Sequence, residues 1–120
     1  MVMRRPILLL VSSALAMMLL ASGVALARDI FGTPRADNLR GTIYADNIRA
    51  GDGNDEVRAL GGADVIRGEN GADSLYGGKG NDRIYSAGRV RDLIDCGPGR
   101  DWAEVNASDR VVNCERVKEV

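Results

Sequence analysis

The chain has 120 residues, a net charge of −1 and only two cysteines. Histidine is absent, which excludes serine or cysteine catalysis through a histidine base and any histidine-ligated zinc or copper site. Residues 1–27 begin with the basic "MVMRRP", continue through the apolar "ILLLVSSALAMMLL" and end in the small-x-small pattern Ala25-Leu26-Ala27. That is the anatomy of a secretory signal peptide cleaved after Ala27. The competing reading, an uncleaved membrane anchor, has an apolar run on the short side for a span. On the first reading the product is secreted and extracellular, with no membrane attachment after cleavage. Residues 28–120 then carry 14 Lys and Arg against 17 Asp and Glu, a charge of −3, which gives no global drive toward nucleic acid. One small domain remains, and exported domains of this size usually need a disulfide or a metal to hold them.

From Gly32 onward a period of nine governs the chain. Aspartates stand at Asp37, Asp46, Asp55, Asp64, Asp73 and Asp82. Aliphatic residues run in phase at Ile30, Leu39, Ile48, Val57, Ile66, Leu75 and Ile84. One extra residue enters near "SAGRVR", and the phase resumes with Asp92 and Ile94, then Asp101 and Ala103. Nine residues make two and a half helical turns, so an α-helix would put successive aliphatic residues on opposite faces. The pieces Asp-x-aliphatic-x alternate instead as short strands, and the glycine-rich pieces between them read as tight turns. Strand and turn alternating every nine residues give a parallel coil in which two units complete one circuit. Residues eighteen apart then stack. Asp37, Asp55, Asp73 and Asp92 fall in one column, and Asp46, Asp64, Asp82 and Asp101 in the other.

The segments "AGDGNDEVR" (50–58) and "GGKGNDRIY" (77–85) resemble the nonapeptide G-G-x-G-x-D-x-U-x of the RTX, or haemolysin-type, calcium-binding repeat. The resemblance extends from residue 32 to about 103, and it is strongest in those two segments. It implies an all-β fold, a right-handed parallel β-roll: a two-sheet solenoid with two nonapeptides per turn and Ca2+ held between stacked turns. The tail "DLIDCGPGRDWAEVNASDRVVNCERVKEV" is similar to that of small secreted bacterial proteins of this repeat class. Many proteins of the class are exported through an uncleaved C-terminal signal, whereas this chain begins with a cleavable one.

Electrostatics agrees with calcium. Rungs lie about 4.8 Å apart, and two carboxylates at that spacing repel by about 3 kcal/mol at an effective dielectric of 20. A hard cation between rungs converts the repulsion into attraction, and calcium accepts six to eight oxygens, backbone carbonyls included. The expected ligands are Asp55, Asp64, Asp73 and Asp82, with Asp46, Asp92 and Asp101 extending the columns. The resemblance adds the carbonyls of Gly53, Gly62, Gly71 and Gly80. The bland alternative is that each aspartate merely caps turn amides. Some turns depart from the pattern. Arg35 and Tyr44 occupy the fourth place in "GTPRAD" and "GTIYAD", the turns of Asp37 and Asp46, where a bulky residue resists positive φ. Leu60 and Glu69 replace the second-place glycine.

The expected domains are the signal peptide 1–27, the β-roll repeats 28–103 and a C-terminal cap 104–120. In an oxidising setting Cys96 and Cys114 are expected to form one disulfide, folding the tail over the last coil as the end cap a solenoid requires. A pair of free or metal-binding thiols is the alternative. Just after each core position come Arg40, Arg49, Arg58 and Arg67, then Tyr76 and Tyr85. These rows face outward, either as a basic stripe for an acidic polysaccharide, teichoic acid or another polyanion, or as a solvated face covering the thin core. Trp102 is expected to pack under the tail. Parallel β-solenoid polysaccharide lyases combine calcium, acids and an arginine base. This chain is too short and lacks the long loops that build a substrate cleft, so it is read as a structural or adhesive calcium-binding module and not as an enzyme.

Overall fold

The computed structural model describes residues 28–120; the signal peptide expected at 1–27 lies outside the described residues. Eleven short strands follow one another: β1 (Arg28–Phe31), β2 (Asn38–Arg40), β3 (Asp46–Arg49), β4 (Glu56–Arg58), β5 (Val65–Arg67), β6 (Ser74–Tyr76), β7 (Arg83–Tyr85), β8 (Leu93–Asp95), β9 (Trp102–Val105), β10 (Arg110–Val112) and β11 (Arg116–Glu119). Odd-numbered strands form a six-stranded sheet in the order β1-β3-β5-β7-β9-β11, and even-numbered strands a five-stranded sheet. Every pairing is parallel. The result is the two-sheet solenoid that the nine-residue period predicts, with each circuit placing one strand in each sheet. Among the described residues no helix is long and apolar enough to cross a membrane.

The strands are brief because only the Asp-x-aliphatic-x piece alternates. Its aliphatic residue points inward, and Ile48, Val57, Ile66, Leu75, Ile84, Ile94 and Ala103 are completely buried. Their registers are direct: Ile48 pairs with Ile66 and Ile66 with Ile84 in one sheet, and Val57 pairs with Leu75 in the other. The extra residue near "SAGRVR" is absorbed in the turn before Asp92, so Leu75 still meets Ile94 and Ile84 still meets Ala103. The core is thus a double file of single side chains, backed by the small first-place residues Ala50, Ala59 and Cys96.

The tail covers the last coil by continuing it. β10 and β11 continue the stack as one more rung on each sheet, with Val111 beside Ile94 and Val117 beside Ala103. Cys96 and Cys114 form the expected disulfide, with their Cα atoms 5.1 Å apart, and this pins the last coil to the one before it. The outer strand β11 is exposed along its length. Its Arg116, Lys118 and Glu119 give this edge the charges that discourage pairing with another strand.

Candidate metal centre

Each repeat ends its turn with an aspartate at the sixth place, and the coil stacks these aspartates into two ladders. From Asp55 onward, one oxygen of each carboxylate accepts the backbone amide of the aspartate one coil earlier. Asp37 N–H donates to Asp55 Oδ1 at 2.8 Å, Asp55 to Asp73 at 2.9 Å and Asp73 to Asp92 at 2.7 Å. On the other side Asp46 donates to Asp64 at 2.8 Å, Asp64 to Asp82 at 2.9 Å and Asp82 to Asp101 at 2.8 Å. The predicted columns are therefore real, and the amide ladder sets their spacing.

The second oxygen separates two kinds of turn. In Asp55, Asp64, Asp73, Asp82, Asp92 and Asp101, Oδ2 is buried and has no hydrogen-bond partner. A buried carboxylate oxygen left unpaired is expensive. Burial accordingly raises the carboxyls: Asp82 up to about 8, Asp64 and Asp92 to about 7, and Asp73 to about 6. The ladder amide opposes this rise, and the like charge of the aspartate one coil earlier reinforces it. Burial raises Asp55 and Asp101 in the same direction.

The first two turns close differently. Thr33 donates its amide to Asp37 Oδ2 at 2.6 Å and its hydroxyl to both carboxylate oxygens. Thr42 does the same for Asp46, its amide 2.7 Å from Oδ2. The reason is local. A second-place threonine with negative φ aims its amide at the carboxylate, whereas later turns hold that place at positive φ, as at Gly51 (86°) and Gly78 (78°). Leu60 and Glu69, the two exceptions to the glycine pattern, adopt the same conformation at 72° and 67°. Such a conformation costs an L-residue about 1–2 kcal/mol, so these turns keep the repeat geometry despite their sequence.

The fourth-place glycines sit where no side chain fits. Gly71 and Gly80 have φ of 110° and 106°, and a Cβ on either would collide with the carbonyl of Gly53 or Gly62 in the coil before. Among the described residues the carbonyls of Gly53, Gly62, Gly71 and Gly80 accept no backbone hydrogen bond. No group of three acidic or cysteine side chains converges there, so a cation between turns would draw on these carbonyls as well as on the carboxylates. Buried, unpaired carboxylate oxygens and free carbonyls within the same turns form an all-oxygen donor set suited to a hard cation with loose geometry. The donor set fits calcium.

Two capping acids escaped the nine-residue reading. Asp109 Oδ1 takes the Asp92 amide at 2.9 Å, and Glu115 Oε2 takes the Asp101 amide at 2.7 Å. They end the two ladders without a further repeat. Both begin an acid-x-aliphatic piece, "DRV" and "ERV", so that signature was present although the spacing was broken. Trp102 is not under the tail: it stands on the outer face of β9, its ring 5.2 Å from that of Tyr85.

The arginine rows stack as the spacing requires, Arg40 beside Arg58 and Arg49 beside Arg67. Three of the four are engaged within the chain. Arg49 pairs with Glu69 and Arg58 with Glu56, while Arg58 and Arg67 lie over Tyr76 and Tyr85 at 5.6 and 5.3 Å. That is the behaviour of a solvated face covering its core.

The family model of the RTX calcium-binding nonapeptide repeat (4 copies) matches residues 31–66 and 58–88. No curated protein and no solved structure matches the chain.

Proposed function

We propose that this chain, which carries RTX calcium-binding nonapeptide repeats, is a calcium-stabilised structural or adhesive module acting at the cell surface or in the extracellular medium. The observation that carries the reading is the set of six buried Oδ2 atoms without a partner, three in each ladder. The repeats bind Ca2+, which supplies the positive charge that both ladders lack. Asp55, Asp64, Asp73, Asp82, Asp92 and Asp101 would hold the ions together with the carbonyls of Gly53, Gly62, Gly71 and Gly80. Asp46, its second oxygen already held by Thr42, would contribute least. The signal-like sequence of residues 1–27 and the Cys96–Cys114 bond support export, since disulfides persist in oxidising compartments.

On this reading the chemistry is assembly. The protein groups hold their places through the amide ladder, and the ion decides whether the stack forms. Residues 28–120, purified and stripped with chelator, are titrated with calcium in a calorimeter and followed in parallel by circular dichroism. The expected result is heat uptake or release coupled to a gain of β-signal, with a midpoint on the order of 10⁻⁴–10⁻³ M. A complete β-spectrum in excess chelator, with no calcium heat, overturns the proposal.

A further inference from the structure

A groove of about 720 Å³ crosses the last coils of the six-stranded sheet, running alongside the Asp82–Asp101 end of one calcium ladder. Its wall contains Arg83, Trp102 and Arg116, which are directly in register on β7, β9 and β11. Trp102 therefore occupies the rung between those of Arg83 and Arg116. Tyr85 packs edge-on against it at 5.2 Å, which fixes the ring while leaving it partly exposed. Arg100 approaches from the adjoining turn.

These arginines differ from those of the rows. Among the described residues neither Arg83, Arg100 nor Arg116 makes an ion pair, whereas Arg49 and Arg58 do. The acids in the groove floor do not cancel them. With calcium bound as proposed above, Asp82 and Asp101, each 1% exposed, have their charge met by the ion, and the three arginines outnumber the one remaining acid, Glu115. A fixed aromatic face flanked by free guanidinium groups is built for a ligand with an apolar ring face and anionic substituents.

We infer that the Arg83–Trp102–Arg116 groove is a binding site for an acidic saccharide, a short run of uronate residues. A pyranose ring presents a C–H face to the indole, and its carboxylate accepts the planar fork of a guanidinium. Arg83 and Arg116 are two rungs apart, about 9–10 Å. A 1,4-linked uronate chain turns every second carboxylate to the same side, so alternate sugars meet the two arginines and the sugar between them lies on Trp102. A phosphate polymer brings charge without that ring face, and the negative charge of residues 28–120 opposes a densely charged strand.

Trp102 is the only tryptophan, so its emission reports the site directly. Calcium-loaded residues 28–120 are titrated with a short oligogalacturonate, with its methyl ester and inorganic polyphosphate as companion ligands. The expected result is a saturable emission change that weakens with salt and disappears with the ester. Arg83→Ala and Arg116→Ala should each weaken binding about tenfold, equivalent to about 1.4 kcal/mol for one charge-assisted contact. Arg40→Ala, on the other sheet, should leave binding unchanged. No emission change, equal affinity for polyphosphate, or an equal loss in Arg40→Ala overturns the inference. Dichroism of each variant in calcium establishes its fold. The calcium titration, run without saccharide, tests the calcium proposal separately.

Discussion

Replacing Asp73 by asparagine should have opposite effects with and without calcium. Asp73 is 2% exposed; its Oδ1 accepts the Asp55 amide at 2.9 Å, and its Oδ2 has no partner. Asparagine keeps the first contact and nearly the same volume, but it removes the negative charge. Burial raises Asp73 to about 6 from its ordinary 3.8. At pH 7.5, in chelator, the buried charge therefore opposes folding by about two pKa steps, on the order of 3 kcal/mol at about 1.36 kcal/mol per step. Asp73→Asn should recover part of that and make the metal-free coil more stable. In calcium the same change deletes a charged ligand, and the midpoint for folding should rise about tenfold or more. Asp37→Asn should show neither effect, because Thr33 already satisfies that carboxylate. The assay is circular dichroism against temperature in chelator, with sucrose added to favour the folded form, followed by a calcium titration without sucrose. A loss of stability in both media, or equal behaviour of the two variants, would refute the assignment of Oδ2 as the calcium-facing atom.

Acid should substitute in part for calcium. Asp64, Asp82 and Asp92 lie at about 7, 8 and 7 when folded, above the ordinary 3.8. Their protonated forms therefore favour the metal-free fold; that stability is complete below about pH 4 and is lost as pH rises through about 7 to 8; dichroism in chelator should show more β-signal at pH 5 than at pH 8. Thr42→Val removes the hydroxyl contacts to Asp46 but keeps the amide contact, and should cost about 1 kcal/mol with or without calcium in denaturant titrations. Cys96→Ser/Cys114→Ser should weaken apparent calcium affinity although neither cysteine is a ligand. The bond joins residues 18 apart, and the chain-entropy value for such a loop is about 3 kcal/mol. Because calcium binds the folded state, that loss appears as a higher calcium midpoint, and superimposable titrations would remove the bridge from this role.

The period of nine was enough to determine the two parallel sheets, the register of Ile48 with Ile66 and the membership of both aspartate columns. The physical reason is that stacking forces equivalent residues into equivalent environments, and a repeated pattern reports that directly. Periodicity could not say which atoms each aspartate meets. Asp46 and Asp64 occupy the same repeat position, yet one has its second oxygen tied to Thr42 and the other has none, because φ at the second place decides where an amide points. Leu60 and Glu69 look like breaks in the motif and nevertheless adopt the glycine conformation, with φ of 72° and 67°. Asp109 and Glu115 lie off the spacing and still receive the last ladder amides, since an amide at the end of a stack takes whichever carboxylate the chain brings within reach. Trp102 was expected under the tail, but its neighbour Ala103 takes the inward position in β9, and strand alternation sends the indole outward. One-dimensional spacing determined the coil; the hydrogen bond made by each side chain depended on torsions and neighbours that exist only once the coils are stacked.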